Sequence, residues 1–208
     1  MFHEIMGLER ALPWLALAFG CGYLAGSIPF GVLIARALRL GDLRRIGSGN
    51  IGATNVLRTG NRAAAAGTLL LDAAKGAVPV LVFLGWGDLA AQAAGVGAFL
   101  GHCFPAWLLF RGGKGVATFL GILLALHWPS GLSALLTWLA AAALTRTSSG
   151  GALAASASAP LWLVLFDRWE AVLVAALLAA LLWLRHLGNI GRLLRGEEPM
   201  IGGSRGER

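Results

Sequence analysis

The residues best suited to chemistry in this sequence fall into three polar clusters that interrupt otherwise apolar stretches. The first cluster is residues 47–58, Gly-Ser-Gly-Asn-Ile-Gly-Ala-Thr-Asn-Val-Leu-Arg. Its three glycines allow positive backbone φ angles that expose N–H groups, and its hydroxyl, amide and guanidinium groups add further donors. An ordinary polar turn that caps a helix is the alternative. We expect an anion site that uses Ser48, Gly49, Asn50, Thr54, Asn55 and Arg58.

The second cluster, residues 110–118, precedes another apolar stretch and reads Phe-Arg-Gly-Gly-Lys-Gly-Val-Ala-Thr. Glycine amides and a lysine at a helix N-terminus favour one bound phosphate or acyl phosphate. The G-x-x-x-x-G-K-[ST] spacing of a nucleotide loop is absent, so a nucleotide is not implied. A basic membrane anchor with helix-packing glycines is the alternative. The candidate phosphate-binding residues are Gly112, Gly113, Lys114, Gly115 and Thr118.

The third cluster, residues 185–198, follows the last apolar stretch. If the helix continues through it, His186 and Asn189 lie one turn apart on one face, and Arg192 extends that face. A single histidine there is also compatible with an interfacial position. His186 is the only side chain in the three clusters whose ordinary pKa lies near neutrality, which makes it a candidate general base.

Asp72 and Lys75 lie inside an apolar stretch. Each would cost about 2.5–3.5 kcal/mol if it faced lipid at mid-helix, so we expect an i, i+3 pair directed into the helix bundle. A structural role and a place in a polar cavity both remain open. His102, late in the following apolar stretch, is a possible supporting residue. We found no group of residues with metal-ligand spacing, and therefore predict neither a metal nor a cofactor.

The elements that must position these clusters are membrane helices, because 57% of the residues are hydrophobic, 13% are charged and the mean hydropathy is +0.73. We predict one all-α integral membrane domain over residues 1–208 with about seven transmembrane helices. The fourth and fifth apolar windows are short enough to form a re-entrant hairpin instead. The seven windows are 12–38, 63–85, 89–110, 115–128, 131–145, 151–166 and 170–187.

The distribution of charge predicts the orientation of these helices. If residues 39–62 are cytoplasmic, 14 of the 17 Lys and Arg residues lie on that face. The positive-inside rule then places the N-terminus outside and the C-terminus in the cytoplasm, with all three clusters on the cytoplasmic side. The net charge of +7 reflects loops that flank apolar helices, so we expect no nucleic-acid partner.

The three clusters, together with Gly26-Ser27-Ile28-Pro29-Phe30-Gly31 and Asp72-x-x-Lys75-Gly76, resemble the signature motifs of the bacterial acyl-phosphate:glycerol-3-phosphate acyltransferase family, also called PlsY. The resemblance implies transfer of a fatty acyl group from acyl phosphate to the 1-hydroxyl of glycerol 3-phosphate. The products would be 1-acyl-glycerol 3-phosphate (lysophosphatidic acid) and phosphate, in bacterial phospholipid synthesis. It also implies the bacterial inner membrane, contact with membrane lipid, and the enzyme that makes acyl phosphate as a partner.

The same resemblance implies roles for individual residues. The catalytic residues would be Ser48, Lys114, His186 and Asn189, and Arg58 would help to hold phosphate. Glu198 would be structural, like Asp72 and Lys75.

The chemistry of the donor is compatible with this small set of residues. An acyl phosphate is already an activated mixed anhydride, so binding two anions and stabilising an oxyanion could suffice without a covalent intermediate. The H-x4-D pair expected of thioester-dependent acyltransferases is absent. The phosphate of the acceptor could take the hydroxyl proton, and we favour this substrate assistance over His186 as base.

Two other functions compete with acyl transfer. An anion transporter or channel for a small phosphorylated solute also uses helix N-termini that face anions, although transporter sites usually lie at the membrane midplane. An intramembrane serine protease is less consistent with the sequence, because Ser48 lies in a glycine-rich loop.

Overall fold

The computed structural model describes residues 8–201, which fold into ten α-helices and two short 3-10 turns without any strand. The chain divides into two compact units, Met1–Gly131 and Leu132–Arg208. The 3-10 turns are Leu43–Arg45 and Ala106–Leu108. The helices are α1 Leu8–Gly26, α2 Phe30–Ala37, α3 Ala53–Leu57, α4 Arg62–Leu84, α5 Asp88–Cys103, α6 Val116–Leu126, α7 Trp128–Thr145, α8 Ser148–Leu165, α9 Trp169–Arg185 and α10 Leu187–Leu194.

Every predicted apolar window contains a helix, so the all-α prediction is confirmed for the described part of the chain. Three segments, Arg10–Ala37, Arg62–Leu84 and Ser148–Leu165, are long and apolar enough to cross a membrane by length and composition. A fourth is added if α9 and α10, which meet at a bend of 63°, count as one span. Seven crossings and the positions of the termini therefore remain predictions.

The third window ends earlier than predicted. Its helix, α5, stops at Cys103 rather than at residue 110. Pro105 disfavours helical backbone at the residue before it, and Phe104 accordingly leaves the helix with φ −136° and ψ 55°. Leu109 and Phe110 then adopt left-handed backbone, with φ of 53° and 60°.

The first window contains a break that separates α1 from α2. Pro29 lacks an N–H and stands immediately before α2. Two carbonyls at the break accept hydrogen bonds from distant side chains: Trp107 Nε1 donates to Ser27 O at 2.9 Å, and Lys75 Nζ donates to Ile28 O at 2.7 Å. These donors satisfy backbone groups that lipid could not satisfy.

Helices α1 and α5 pack closely through two G-x-x-x-G sequences, Gly22–Gly26 and Gly97–Gly101. A methyl group on Gly26 would lie 2.0 Å from the carbonyl oxygen of Ala98. A methyl group on any of the other three glycines would lie 2.0 to 2.2 Å from a backbone carbonyl oxygen. Such small residues let membrane helices approach each other and gain van der Waals contact. This seam fixes α5, and with it the start of the second polar cluster.

In the second unit, helices α8 and α9 pack against each other. Trp183 on α9 donates its Nε1 hydrogen to Ser156 Oγ on α8 at 3.2 Å. The last described residue, Ile201, donates its backbone N–H to Arg146 O at 2.8 Å. The chain after α10 is therefore tied back to the turn between α7 and α8.

Candidate active site

Asn55 organises the first polar cluster. Its side chain is buried on the short helix α3, where Nδ2 donates to Leu43 O at 2.7 Å. Its Oδ1 accepts from the backbone N–H of Ser48 at 3.3 Å and from the guanidinium of Arg58 at 3.2 Å. The prediction that Asn55 belongs to the cluster agrees with these contacts, but its polar atoms hold the loop together rather than face outward.

The glycines of the first cluster differ in conformation. Gly47 and Gly49 have positive φ, 53° and 69°, as the sequence suggested. Gly52 instead has φ −85° and caps the start of α3. Ser48 and Arg58 have exposed side chains, while Asn50 turns its Oδ1 to the N–H of Ile51 at 2.9 Å. The loop therefore presents a hydroxyl and a guanidinium on a fixed backbone, and Thr54 is exposed on α3 beside them.

The second cluster forms the loop between α5 and α6. Gly115 has φ +85° and directly precedes α6, with the Phe99 ring 2.4 Å from where a Cβ would stand. Gly112 and Gly113 donate their N–H groups to Cys103 O and His102 O at 3.1 and 3.0 Å. These two amides bond the end of α5, and phosphate binding by Gly112 and Gly113 stays a prediction. Lys114, half-buried, stands one residue before Gly115.

Thr118 also has a different role from the predicted one. It is fully buried, and its Oγ1 donates to Asp72 O at 2.9 Å. Beside it, a methyl group on Gly76 would lie 2.4 Å from Thr118 O. Thr118 thus joins α6 to α4 and is not directed at a phosphate.

The first and second clusters lie near each other in the first unit. Arg44, at the end of the loop that precedes the first cluster, donates from its guanidinium to Arg111 O in the second at 3.3 Å. Gly49 contacts the same region, since a Cβ there would lie 3.1 Å from Arg44 O. The expected proximity of these two clusters is therefore present. Arg44 was not among the predicted site residues, because nothing in its own sequence neighbourhood indicates a partner 67 residues away.

Asp72 and Lys75 form the predicted pair inside α4. Lys75 Nζ lies 2.7 Å from Asp72 Oδ1, and both side chains are buried. His102 Nδ1 lies 3.8 Å from the same Asp72 oxygen. The prediction that the pair faces the protein interior is confirmed. His102 is also buried, so this part of the first unit holds three neighbouring ionisable side chains.

The third cluster does not continue the last long helix as expected. The chain bends by 63° between α9 and α10, and His186 stands at the bend. His186 is buried, and its Nδ1 lies 2.8 Å from Leu182 O. Because a carbonyl oxygen only accepts, Nδ1 is the donor in this bond, so the neutral ring carries its hydrogen there.

Glu198 joins three parts of the second unit. It accepts from Asn189 Nδ2 at 2.5 Å, from Arg192 Nε at 2.8 Å and from Ser149 Oγ at 2.8 Å. Burial opposes its negative charge, but the bonds from Asn189, Ser149 and Arg192 outweigh burial and hold the pKa of the Glu198 carboxyl below its ordinary value. Asn189 and Arg192 lie on one side of α10, as predicted from their spacing, and both donate to the same carboxylate.

Comparison with known proteins identifies the family. A model of the family described as glycerol-3-phosphate acyltransferase matches residues 16–196. The chain belongs to this family. Its relatives include glycerol-3-phosphate acyltransferases of Cereibacter sphaeroides, 57% identical over 94% of this chain and 93% of that protein, and of a Ruegeria species, 58% identical over 94% and 97%.

The structure of this chain also resembles solved structures of the family. The crystal structure of PlsY (YgiH), an integral membrane glycerol 3-phosphate acyltransferase, in its glycerol 3-phosphate form superposes with a TM-score of 0.84 at 36% identity. It covers 93% of this chain and 96% of that one. A second structure of PlsY, in the lysophosphatidic acid form, superposes equally well. The prediction of an acyltransferase from this family is thereby confirmed.

Proposed function

We propose that this chain transfers a fatty acyl group from acyl phosphate to the 1-hydroxyl of glycerol 3-phosphate, releasing lysophosphatidic acid and inorganic phosphate. The observation that carries the proposal is the match to two forms of one related enzyme, one with glycerol 3-phosphate and one with lysophosphatidic acid. These molecules are the acceptor and the product of the proposed reaction. The first-unit loops supply cations and hydroxyl groups suited to two anionic substrates.

In the first unit, we assign phosphate binding to Ser48, Arg58 and Lys114. Ser48 and Arg58 are exposed on a backbone held by Asn55, and Lys114 stands beside the start of α6, where the helix dipole also favours an anion. Gly49, Asn50, Thr54 and Gly115 shape the same loops. Arg58 offers a planar set of donors that can bind phosphate through two bonds, whereas Lys114 acts as a point charge.

In the second unit, we assign His186 and Asn189 to the reacting centre and Arg192 to the binding of phosphate. His186 is held by its bond to Leu182 O, which fixes the orientation of the ring. Asn189 is oriented by its bond to Glu198, and a side-chain amide can stabilise a developing oxyanion. Binding and orientation are sufficient for rate enhancement because the leaving phosphate is already activated.

The proton of the acceptor hydroxyl passes to a phosphate oxygen of the substrate in this proposal. His186 then serves to orient and stabilise the reacting groups. A His186→Ala variant should keep substrate binding and lose less than about ten-thousand-fold in turnover, the upper end of the 10²–10⁴-fold that general bases typically contribute. A larger loss with intact binding would make His186 the base.

The proposed topology has seven crossings in the bacterial inner membrane, with the N-terminus outside and the C-terminus in the cytoplasm. The concentration of Lys and Arg in the loops supports this orientation. The site then opens to the compartment that supplies glycerol 3-phosphate and to the enzyme that makes acyl phosphate. Labelling of single cysteines placed at residues 41 and 87, in a variant whose Cys21 and Cys103 are replaced by alanine, would test it, since a membrane-impermeant reagent should reach only residue 87 from outside.

One assay tests the proposed reaction. Purified protein is given glycerol 3-phosphate with either an acyl phosphate or an acyl thioester, and lysophosphatidic acid is measured. We expect product from the phosphate donor alone. Uptake of glycerol 3-phosphate into proteoliposomes without acyl transfer would instead favour a transporter.

The proposed role of Lys114 is tested in the same assay. Lys114→Ala should lower kcat/KM by about a hundredfold or more, since it removes a charged hydrogen bond to a substrate phosphate. Arg146→Ala is the matched control, because Arg146 is an exposed cation on a turn without an assigned contact to substrate. Equal losses in the two variants would argue against a specific role for Lys114.

A further inference from the structure

Three buried ionisable side chains in the first unit occupy positions between the two polar loops. Lys75 Nζ lies 2.7 Å from both Asp72 Oδ1 and Ile28 O, and His102 Nδ1 lies 3.8 Å from Asp72 Oδ1. All three side chains are buried. Buried charges in membrane helices are costly and usually persist because they serve a function. The roles assigned above to phosphate-binding residues do not account for these three.

At one end, this group contacts the second polar loop through His102. The His102 carbonyl accepts the N–H of Gly113 at 3.0 Å. Its imidazole fills the space next to Gly113, where a Cβ would lie only 2.1 Å from Nε2 and 2.9 Å from Cε1. The residue after Gly113 is Lys114. A change in the His102 ring or in the space at Gly113 would therefore shift the lysine assigned to phosphate.

At the other end, the same group contacts the first polar loop through α2. Lys75 satisfies Ile28 O just before α2 begins. Gly31 on α2 contacts the loop so closely that a Cβ would lie 2.0 Å from Ile51 O. The position of α2 thus determines where the backbone of Ile51 rests. Lys75 acts on the first loop through this contact.

We propose that Asp72, Lys75 and His102 form a positioning cluster that sets the two phosphate-binding loops of the first unit relative to each other. His102 is a positioning residue for Lys114, and Gly113 is a glycine because the imidazole leaves no room for a side chain. This packing explains the glycine at position 113 whether or not Gly113 also contacts phosphate. The inference rests on the proposed role of Lys114 and deepens it.

A double-mutant cycle between His102 and Gly113 tests the proposal. Gly113→Ala, His102→Ala and the combined variant are compared with wild type for kcat and KM in acyl transfer, and for thermal unfolding midpoint in detergent. We expect Gly113→Ala to lower kcat/KM by about a hundredfold, because displacement of a binding group by about 1 Å has this effect. In the double variant, removal of the imidazole ring should raise kcat/KM at least about tenfold above that of Gly113→Ala alone.

The matched control combines Gly113→Ala with His127→Ala, which removes a half-buried histidine elsewhere in the same unit. This combined variant should not recover the kcat/KM that Gly113→Ala loses. If Gly113 instead contacts substrate, the His102→Ala change will not rescue Gly113→Ala, and the proposal is overturned.

The single His102→Ala variant provides a second readout that is independent of Gly113→Ala. We expect about a tenfold loss of kcat/KM, expressed mainly as a raised KM for one substrate, because Lys114 loses its fixed position while the catalytic groups remain. Full activity of this variant would contradict the proposal. Retained activity in Lys114→Ala would instead refute the proposed role of Lys114. The rescue of Gly113→Ala by His102→Ala could still be measured, so the two outcomes are distinguishable.

Discussion

Asn189 Nδ2 donates to Glu198 Oε1 at 2.5 Å, which makes a residue assigned to the reacting centre dependent on a carboxylate nine residues further along the chain. The same carboxylate also accepts from Arg192 and from Ser149. A structural residue therefore sets the orientation of functional ones. Loss of Glu198 should affect stability and turnover together.

This arrangement predicts a pH dependence of stability. The pKa of Glu198 is lowered in the folded state, so its contribution is fully present above the unfolded-state value of about 4.5 and disappears as the pH falls through the lower folded-state value. The thermal unfolding midpoint of wild type should therefore fall on acidification below about pH 4.5. Glu198→Gln should show a smaller fall and a lower midpoint at pH 7.

Glu197→Gln is the matched control for this measurement. Glu197 is exposed and pairs only at the surface with Arg195, so its variant should follow wild type at every pH. Identical pH profiles for Glu198→Gln and wild type would contradict the predicted role of the carboxylate.

Asn55 faces the loop rather than substrate, yet its contacts predict that replacing it lowers activity. Asn55→Ala removes the bond to Leu43 O, which keeps only the N–H of Ile46 at 3.3 Å, and it frees both the Ser48 amide and the Arg58 guanidinium. Each lost hydrogen bond costs about 0.5–1.5 kcal/mol, and a loosened loop should lower kcat/KM by about tenfold or more. Kinetic assays with glycerol 3-phosphate as the varied substrate measure the effect.

Asn61→Ala separates this effect from general destabilisation. Asn61 caps α4 by accepting from the N–H of Ala64 at 2.9 Å, and its loss should cost about 1 kcal/mol of stability. We expect a lower unfolding midpoint with unchanged kcat/KM. A comparable kinetic loss in both variants would indicate that Asn55 acts through stability alone.

The glycine seam between α1 and α5 predicts opposite effects for two glycines on one helix. Gly26→Ala places a methyl group 2.0 Å from Ala98 O, so the helices must separate, at a cost of about 1–3 kcal/mol or more. Gly20 has no atom within 4 Å of its Cβ position, and Gly20→Ala should stabilise the helix by about 0.5–1 kcal/mol. Thermal unfolding in detergent compares them. A neutral Gly26→Ala would show that this close approach is not required.

Replacing Asp72 alone should lower the stability of the fold more than replacing Asp72 and Lys75 together. Asp72→Asn leaves the buried ammonium of Lys75 without its carboxylate, which should cost about 3–5 kcal/mol, whereas Asp72→Asn with Lys75→Gln removes both charges. The double variant should have the higher unfolding midpoint. If it also retains full turnover, the pair contributes only to folding.

The sequence predicted the helices well because their apolar windows are long, and it predicted the Asp72–Lys75 pair because the two residues are one turn apart. It failed at Cys103, where the effect of Pro105 on the preceding residue outweighs continued hydrophobicity. It failed again at His186, where the assumed straight helix bends by 63°.

Contacts between distant residues set the second limit on prediction. Ser149 and Glu198 are 49 residues apart, and neither has a local pattern that indicates the other. The glycines at 112 and 113 were interpreted as phosphate donors from their composition, although their amides bond to the end of α5. Glycine at a helix start is compatible with anion binding and with tight packing, and only coordinates distinguish the two. The two G-x-x-x-G sequences were a usable signal for the α1–α5 seam that the sequence analysis did not use.

The break before α2 also has a consequence for biosynthesis. The carbonyls of Ile28 and Ser27 are made before their donors, because Lys75 and Trp107 are synthesised 47 and 80 residues later. Until those residues arrive, the nascent segment can satisfy these carbonyls only with water or lipid headgroups. The break before α2 can therefore reach its final state only after α4 and the 3-10 turn that carries Trp107 have been made.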